Sequence, residues 1–184
     1  MEKVKNKEIS EILLRYSIGM VIAILATIFS IFYIVFRPLT VWLVYSIIKM
    51  FYETELTGFS SILVSGHEIE IIDACVAGSA YLLLLLLNIM TREITLKKRV
   101  LLFLFDSLIL FLINVFRIAI LIVMLVNDSI AFDLTHKLFW YVMSTFFVIA
   151  IWFFSVWLFK LKSIPFYSDI KFIVEKKSKK SPKI

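Results

Sequence analysis

Long apolar runs separated by short polar segments dominate the chain. Residues 16–36 form the first run, and Arg37-Pro38 ends it, because proline disfavours helix at the residue before it. Residues 39–52 are also apolar, but a helix of that length rises only about 21 Å, short of a roughly 30 Å hydrocarbon core. With Tyr45, Ser46, Lys49 and Glu53 on one side, this segment reads as a short interfacial or partly inserted helix. The period then changes. Ser61-Ile-Leu-Val64 and Glu68-Ile-Glu-Ile-Ile72 flank Ser65-Gly66-His67, with glutamate alternating with isoleucine. Period-two alternation around a glycine turn predicts a small β-hairpin. Lipid cannot satisfy an open hairpin's backbone, so it belongs in water or against the helices. Residues 74–91 form a second span and 92–99 a polar loop. A third span, 100–126, is about 40 Å long. Residues 127–135 make a short loop, and a fourth span runs from His136 to about Phe159. The expected fold is an all-α polytopic membrane protein of four transmembrane helices, with a short interfacial helix and a small outer β-hairpin. Residues 1–160 make a single domain, and 161–184 a basic cytoplasmic tail.

Composition agrees with a membrane class: 61% of the 184 residues are hydrophobic, where soluble domains sit nearer half. The first run is read as a retained helix, since it lacks a small-x-small cleavage site. The net charge of +6 suggests nucleic acid until the basic residues are located. With four spans and the N-terminus inside, segments 1–15, 92–99 and 160–184 hold 4, 4 and 8 basic residues, 16 of the chain's 20. That asymmetry sets topology: both termini are cytoplasmic in a multi-pass plasma-membrane protein, and no nucleic-acid partner is expected. A fifth span at 39–52 would carry a basic segment to the outer side. The single cysteine excludes an internal disulfide and a multi-cysteine metal site. The four glycines form no phosphate loop, so neither metal nor cofactor is expected.

The same topology sets three residues at one depth. Cys75 begins an outside-to-inside helix. Arg117 lies 18 residues beyond Arg99, about 27 Å of rise toward the outer boundary. His136 opens an outside-to-inside helix. A thiolate is the reactive form of cysteine, and a helix N-terminus favours it; Asp73 is the expected N-cap, its own charge acting the other way. Unpaired N–H groups of that first turn are candidates to hold an oxyanion. His136 suits proton transfer and Arg117 charge stabilisation. Asn114, one turn before Arg117, is a candidate to orient it or, equally, to bond a neighbouring helix; Asp128 and Asp133 are candidate ion partners for Arg117. Gly78, with Ala74, Ala77 and Ser79, allows a close helix approach, expected from the helix bearing Arg117. Asp106 is expected to pair with Arg92 or Asn88. Lone cysteines in apolar runs are more often packing, and lone histidines at an interface are more often solvated. An intramembrane arginine is a functional candidate by default. The alternative to an enzyme is a non-enzymatic transporter subunit or scaffold, with Cys75 as packing and Arg117 ion-paired.

Four motifs occur in order: Arg37-Pro-Leu-Thr40, Ile72-Asp-Ala-Cys75-Val-Ala-Gly78, Asn114-Val-Phe-Arg117-Ile118 and Thr135-His136. Over residues 37–157 the chain resembles the exosortase/archaeosortase family of membrane transpeptidases, most of all the compact archaeal members called pacearchaeosortases. The resemblance implies a Cys, Arg, His trio at Cys75, Arg117 and His136, with Asn114, Gly78 and Asp133 supporting. It implies secreted protein substrates carrying a C-terminal sorting signal: a short motif, a hydrophobic helix and a basic end. Cleavage at the outer face would pass the product through a Cys thioester to an acceptor, a membrane lipid among the possibilities. The family's usual Cys-Ser-Gly becomes Cys75-Val-Ala-Gly78 here, and its Ala-His becomes Thr135-His136.

Overall fold

In a computed structural model the described residues are 2–28, 30–92 and 94–161. The expected tail at 161–184 lies, from residue 162, outside them. The helices are α1 (Glu2–Ile28), α2 (Ile31–Ile48), a single turn α3 (Asp73–Val76), α4 (Gly78–Met90), α5 (Leu96–Val126), α6 (Phe132–Leu138) and α7 (Ser144–Leu158). Strands β1 (Thr54–Leu56), β2 (Ser61–Val64) and β3 (His67–Glu70) lie between α2 and α3. Three helical segments are long and apolar enough to cross a membrane: Ser10–Ile28 within α1, α2 and α5. A fourth crossing results if α6 and α7, bent by 50°, count as one.

The N-terminal region departs from expectation. The helix breaks at Ser30, whose φ of 48° is left-handed, and not at Arg37-Pro38. Pro38 lies inside α2, where it removes one ladder bond. The helix continues because Thr40, Val41, Val44 and Ile48 beyond the proline are buried, and tertiary packing overrides local propensity. Residues 39–48 are thus the second half of an 18-residue apolar helix, not a separate interfacial one. Helices α1 and α2 pass α4 in succession. The Arg15 guanidinium donates to the Met90 carbonyl at 2.9 Å, while the Tyr33 ring covers Gly78. Helix α2 runs beside α5 in the same sense, with Phe32 near Phe103 and Phe36 near Phe111. Helix α7 runs against α5, the Ser155 hydroxyl donating to the Asp106 carboxylate. That bond replaces the expected pairing of Asp106 with Arg92 or Asn88; the Asn88 side chain instead donates to the Arg99 carbonyl at 2.8 Å.

The expected hairpin is present, with a third strand. The sheet is antiparallel in the order β1-β2-β3, and Val64 faces His67 across a two-residue turn. Ser65 and Gly66 have φ of 47° and 87°, the left-handed pair that a tight hairpin requires. Ile62 and Val64 are fully buried, each worth roughly 1.5–3 kcal/mol relative to exposure. They join Val44, Ile48, Ile71, Val115, Ile118 and Ile122 in one core. A second core around Tyr81, Leu84, Leu102 and Trp152 ties α4 and α7 to α5. At the end away from the sheet, Arg15, Lys98 and Arg99 bind the Met90, Phe159 and Asn88 carbonyls respectively.

Candidate functional site

Residues leaving the sheet build the site. The Ile71 N–H donates to the Ser60 carbonyl at 2.7 Å, and the Cys75 N–H donates to the Ile72 carbonyl at 2.8 Å. This second bond closes the α3 turn, so the Cys75 N–H is not among the unpaired first-turn groups open to an oxyanion. Ile72 stands at the N-cap position and Asp73 is the first helical residue. The Asp73 carboxylate instead accepts from the Arg37 guanidinium of α2. That ion pair sets a positive charge beside the acid that would otherwise oppose a thiolate at Cys75.

The Cys75 carbonyl is held from the other side. Asn114 Nδ2 donates to it at 2.7 Å and Arg117 Nη2 at 3.1 Å. Both donors come from the same face of α5, one turn apart. Asn114 thus bonds the neighbouring helical turn, at the same carbonyl that Arg117 holds. Ala77 follows with φ 59°, a left-handed residue that separates the Cys75 turn from α4. Gly78 then opens α4 against the Tyr33 ring, with an added Cβ falling 2.5 Å from the ring. The close approach that Gly78 permits is thus by α2, not by the helix carrying Arg117.

Cys75, Arg117 and His136 line one cavity of about 130 Å³, together with Glu70, Leu121, Phe132 and Trp140 among others. His136 lies within α6, which begins at Phe132 rather than at the histidine. Its ring packs beside Phe132 at 5.7 Å and edge-on to Trp140 at 6.4 Å between centroids. A π-helical stretch, Phe139–Met143, follows at the bend between α6 and α7. Asp133 lines a different surface pocket with Asp128 and Ser129 and does not reach this cavity. Cys75 is a half-buried free thiol ahead of α4. Burial pushes the thiol above its ordinary value, and the Arg117 charge and the turn's backbone bond pull it partway back. At neutral pH it is protonated and needs a base to become nucleophilic.

Two contributors escaped the sequence reading. The sequence pattern gives Arg37 as a helix end, although it lies one turn before the buried Thr40 and Val41 of its own helix. Glu70 reads in the sequence as hairpin patterning; the alternation sets it on the face opposite Ile69 and Ile71, and it borders the Cys75 cavity. Among the described residues no group of three or more His, Cys, Asp or Glu side chains is arranged to hold a metal. Comparison with family models, curated proteins and solved structures finds no match to the chain.

Proposed function

We propose that the protein is a membrane cysteine peptidase or transpeptidase of the exosortase/archaeosortase kind, acting at the outer face of the plasma membrane with both termini cytoplasmic. The observation that carries this reading is the convergence of Cys75, Arg117 and His136, from three different elements, on one cavity. The orientation is supported by Arg15, Lys98 and Arg99 gathering at the end opposite the sheet, since basic residues mark the cytoplasmic side. Four crossings follow if α1 with α2, α4, α5, and α6 with α7 each traverse once.

In the reaction, His136 takes the thiol proton as Cys75 Sγ attacks a peptide carbonyl. The oxyanion develops beside the Arg117 guanidinium, which carries five N–H donors. The C–N bond breaks, His136 returns the proton to the leaving amine, and an acyl thioester remains on Cys75. An amine or lipid acceptor, or water, then attacks the thioester and restores the thiol. The substrate is a secreted protein with a C-terminal apolar helix and basic end.

Co-expression with such a reporter tests the proposal. Cys75→Ala is expected to abolish processing, and hydroxylamine is expected to release the reporter from wild-type enzyme. Processing that persists in Cys75→Ala removes the nucleophile assignment.

A further inference from the structure

The sheet has an open edge, and that edge leads to the cysteine. Because the Ile71 N–H bonds to Ser60, the residue before β2, and β3 pairs Val64 with His67 and Ile62 with Ile69, the alternation of an antiparallel ladder turns the backbone groups of His67, Ile69 and Ile71 toward β2. Those of Glu68, Glu70 and Ile72 turn away. No strand lies on that side among the described residues, since β3 ends the order β1-β2-β3. The last group in the row, the Ile72 carbonyl, is the one that accepts the Cys75 N–H. Edge strands of this kind pair with extended peptides.

The side chains state what kind of peptide. Glu68 and Glu70 share one face of β3 and are exposed, whereas Ile62 and Val64 face the core. Neither glutamate has an ion-pair partner among the described residues. Glu70 also lines the Cys75 cavity, whose remaining walls are mostly apolar. A basic side chain on an added strand would stand directly opposite each acid, and opposite charges at such cross-strand positions attract.

We propose that the outer edge of β3 is a substrate-docking strand. An extended peptide segment pairs with the backbone of Glu68 and Glu70, sets basic side chains at alternate positions against their carboxylates, and leads a neighbouring peptide bond to Cys75. This rests on the peptidase reading above and names the substrate class that the same site takes.

The test separates docking from chemistry. Full-length Cys75→Ala protein in zwitterionic nanodiscs is titrated with fluorescein-labelled octapeptides bearing Lys at alternate positions, and with Asp counterparts. The Lys peptides should bind more tightly. Single N-methylation along the Lys peptide should weaken binding at every second residue, by about fivefold for each backbone bond lost. The Glu68→Lys, Glu70→Lys double variant should reverse the preference toward the Asp peptides. N-methylation tolerated at every position overturns edge pairing, even if charge preference reverses. Unchanged preference in the double variant overturns the role of the two acids. Loss of docking while Cys75→Ala still abolishes reporter processing leaves the nucleophile in place and removes only this inference. Period-two docking with processing intact in Cys75→Ala does the converse.

Discussion

Asn114 is the side chain on which the cysteine turn depends most directly. It is 3% exposed, and its amide donates to the Cys75 carbonyl at 2.7 Å. Asn114→Ala removes that bond, worth about 1 kcal/mol net, and leaves a small void that adds a comparable cavity cost. The total, about 2 kcal/mol, corresponds to roughly 30-fold in the folding equilibrium. The Cys75 carbonyl keeps its bond from Arg117, so the turn loosens without detaching. Processing of a helix-tailed reporter should fall about tenfold, the share of that energy expressed at the reacting atoms. Asn114→Asp has nearly the same shape but only accepts hydrogen bonds. Its carboxylate would face the carbonyl oxygen and draw the guanidinium away from it, giving a larger loss than Ala. Thermal unfolding in detergent and the processing rate measure the two effects separately. If Asn114→Ala matches wild type in both, or Asn114→Asp is no worse than Asn114→Ala, the carbonyl clamp does not hold the turn.

Three other outcomes follow from the same turn. Ala77→Gly should stabilise the fold by about 0.5–1 kcal/mol, because φ 59° suits glycine better than alanine; a lowered unfolding temperature would contradict that assignment. Gly78→Ala should destabilise by about 1–2 kcal/mol through overpacking on the Tyr33 ring, which lies 2.5–2.9 Å from the added Cβ. Tyr33→Leu should relieve much of that cost, and strict additivity in the double-mutant cycle would count against the contact. Since burial raises the Cys75 thiol and Arg117 opposes the rise, Arg117→Gln should raise it further. Alkylation of Cys75 by iodoacetamide should then set in at higher pH than in wild type, whereas an unchanged or lower midpoint would refute the electrostatic coupling.

Periodicity made part of this fold legible. The Glu-Ile alternation of β3 and the glycine turn before it marked the β2–β3 hairpin, but Thr54–Leu56 is too short to show a period, so β1 was invisible. Pro38 misled because its local preference is outweighed by burial of Val41, Val44 and Ile48, which depends on partners far along the chain. Counting basic residues placed Cys75, Arg117 and His136 at one depth. It could not give the direction each side chain takes around its helix axis, and that direction decides whether they share a cavity. The same limit applies to Asn114 and Asp106. Their polarity announced a hydrogen bond, while the partners, the Cys75 carbonyl and Ser155, lie tens of residues away in sequence. Arg37 and Asp73 were both in view, and only the contact of α2 with the α3 turn joins them.

The left-handed Ala77 also decides which helix the cysteine moves with. Helix α4 has 13 residues, about 20 Å of rise, shorter than a roughly 30 Å hydrocarbon core, so a crossing by α4 requires the bilayer to thin around it. A rigid junction would transmit every such adjustment to the thiol. The break at Ala77 lets α4 rotate about a single residue's backbone torsions, while two donors from α5 keep hold of the Cys75 carbonyl. Mechanically, the Cys75 turn belongs with α5 and α2, which hold its carbonyl and the Asp73 carboxylate, rather than with α4.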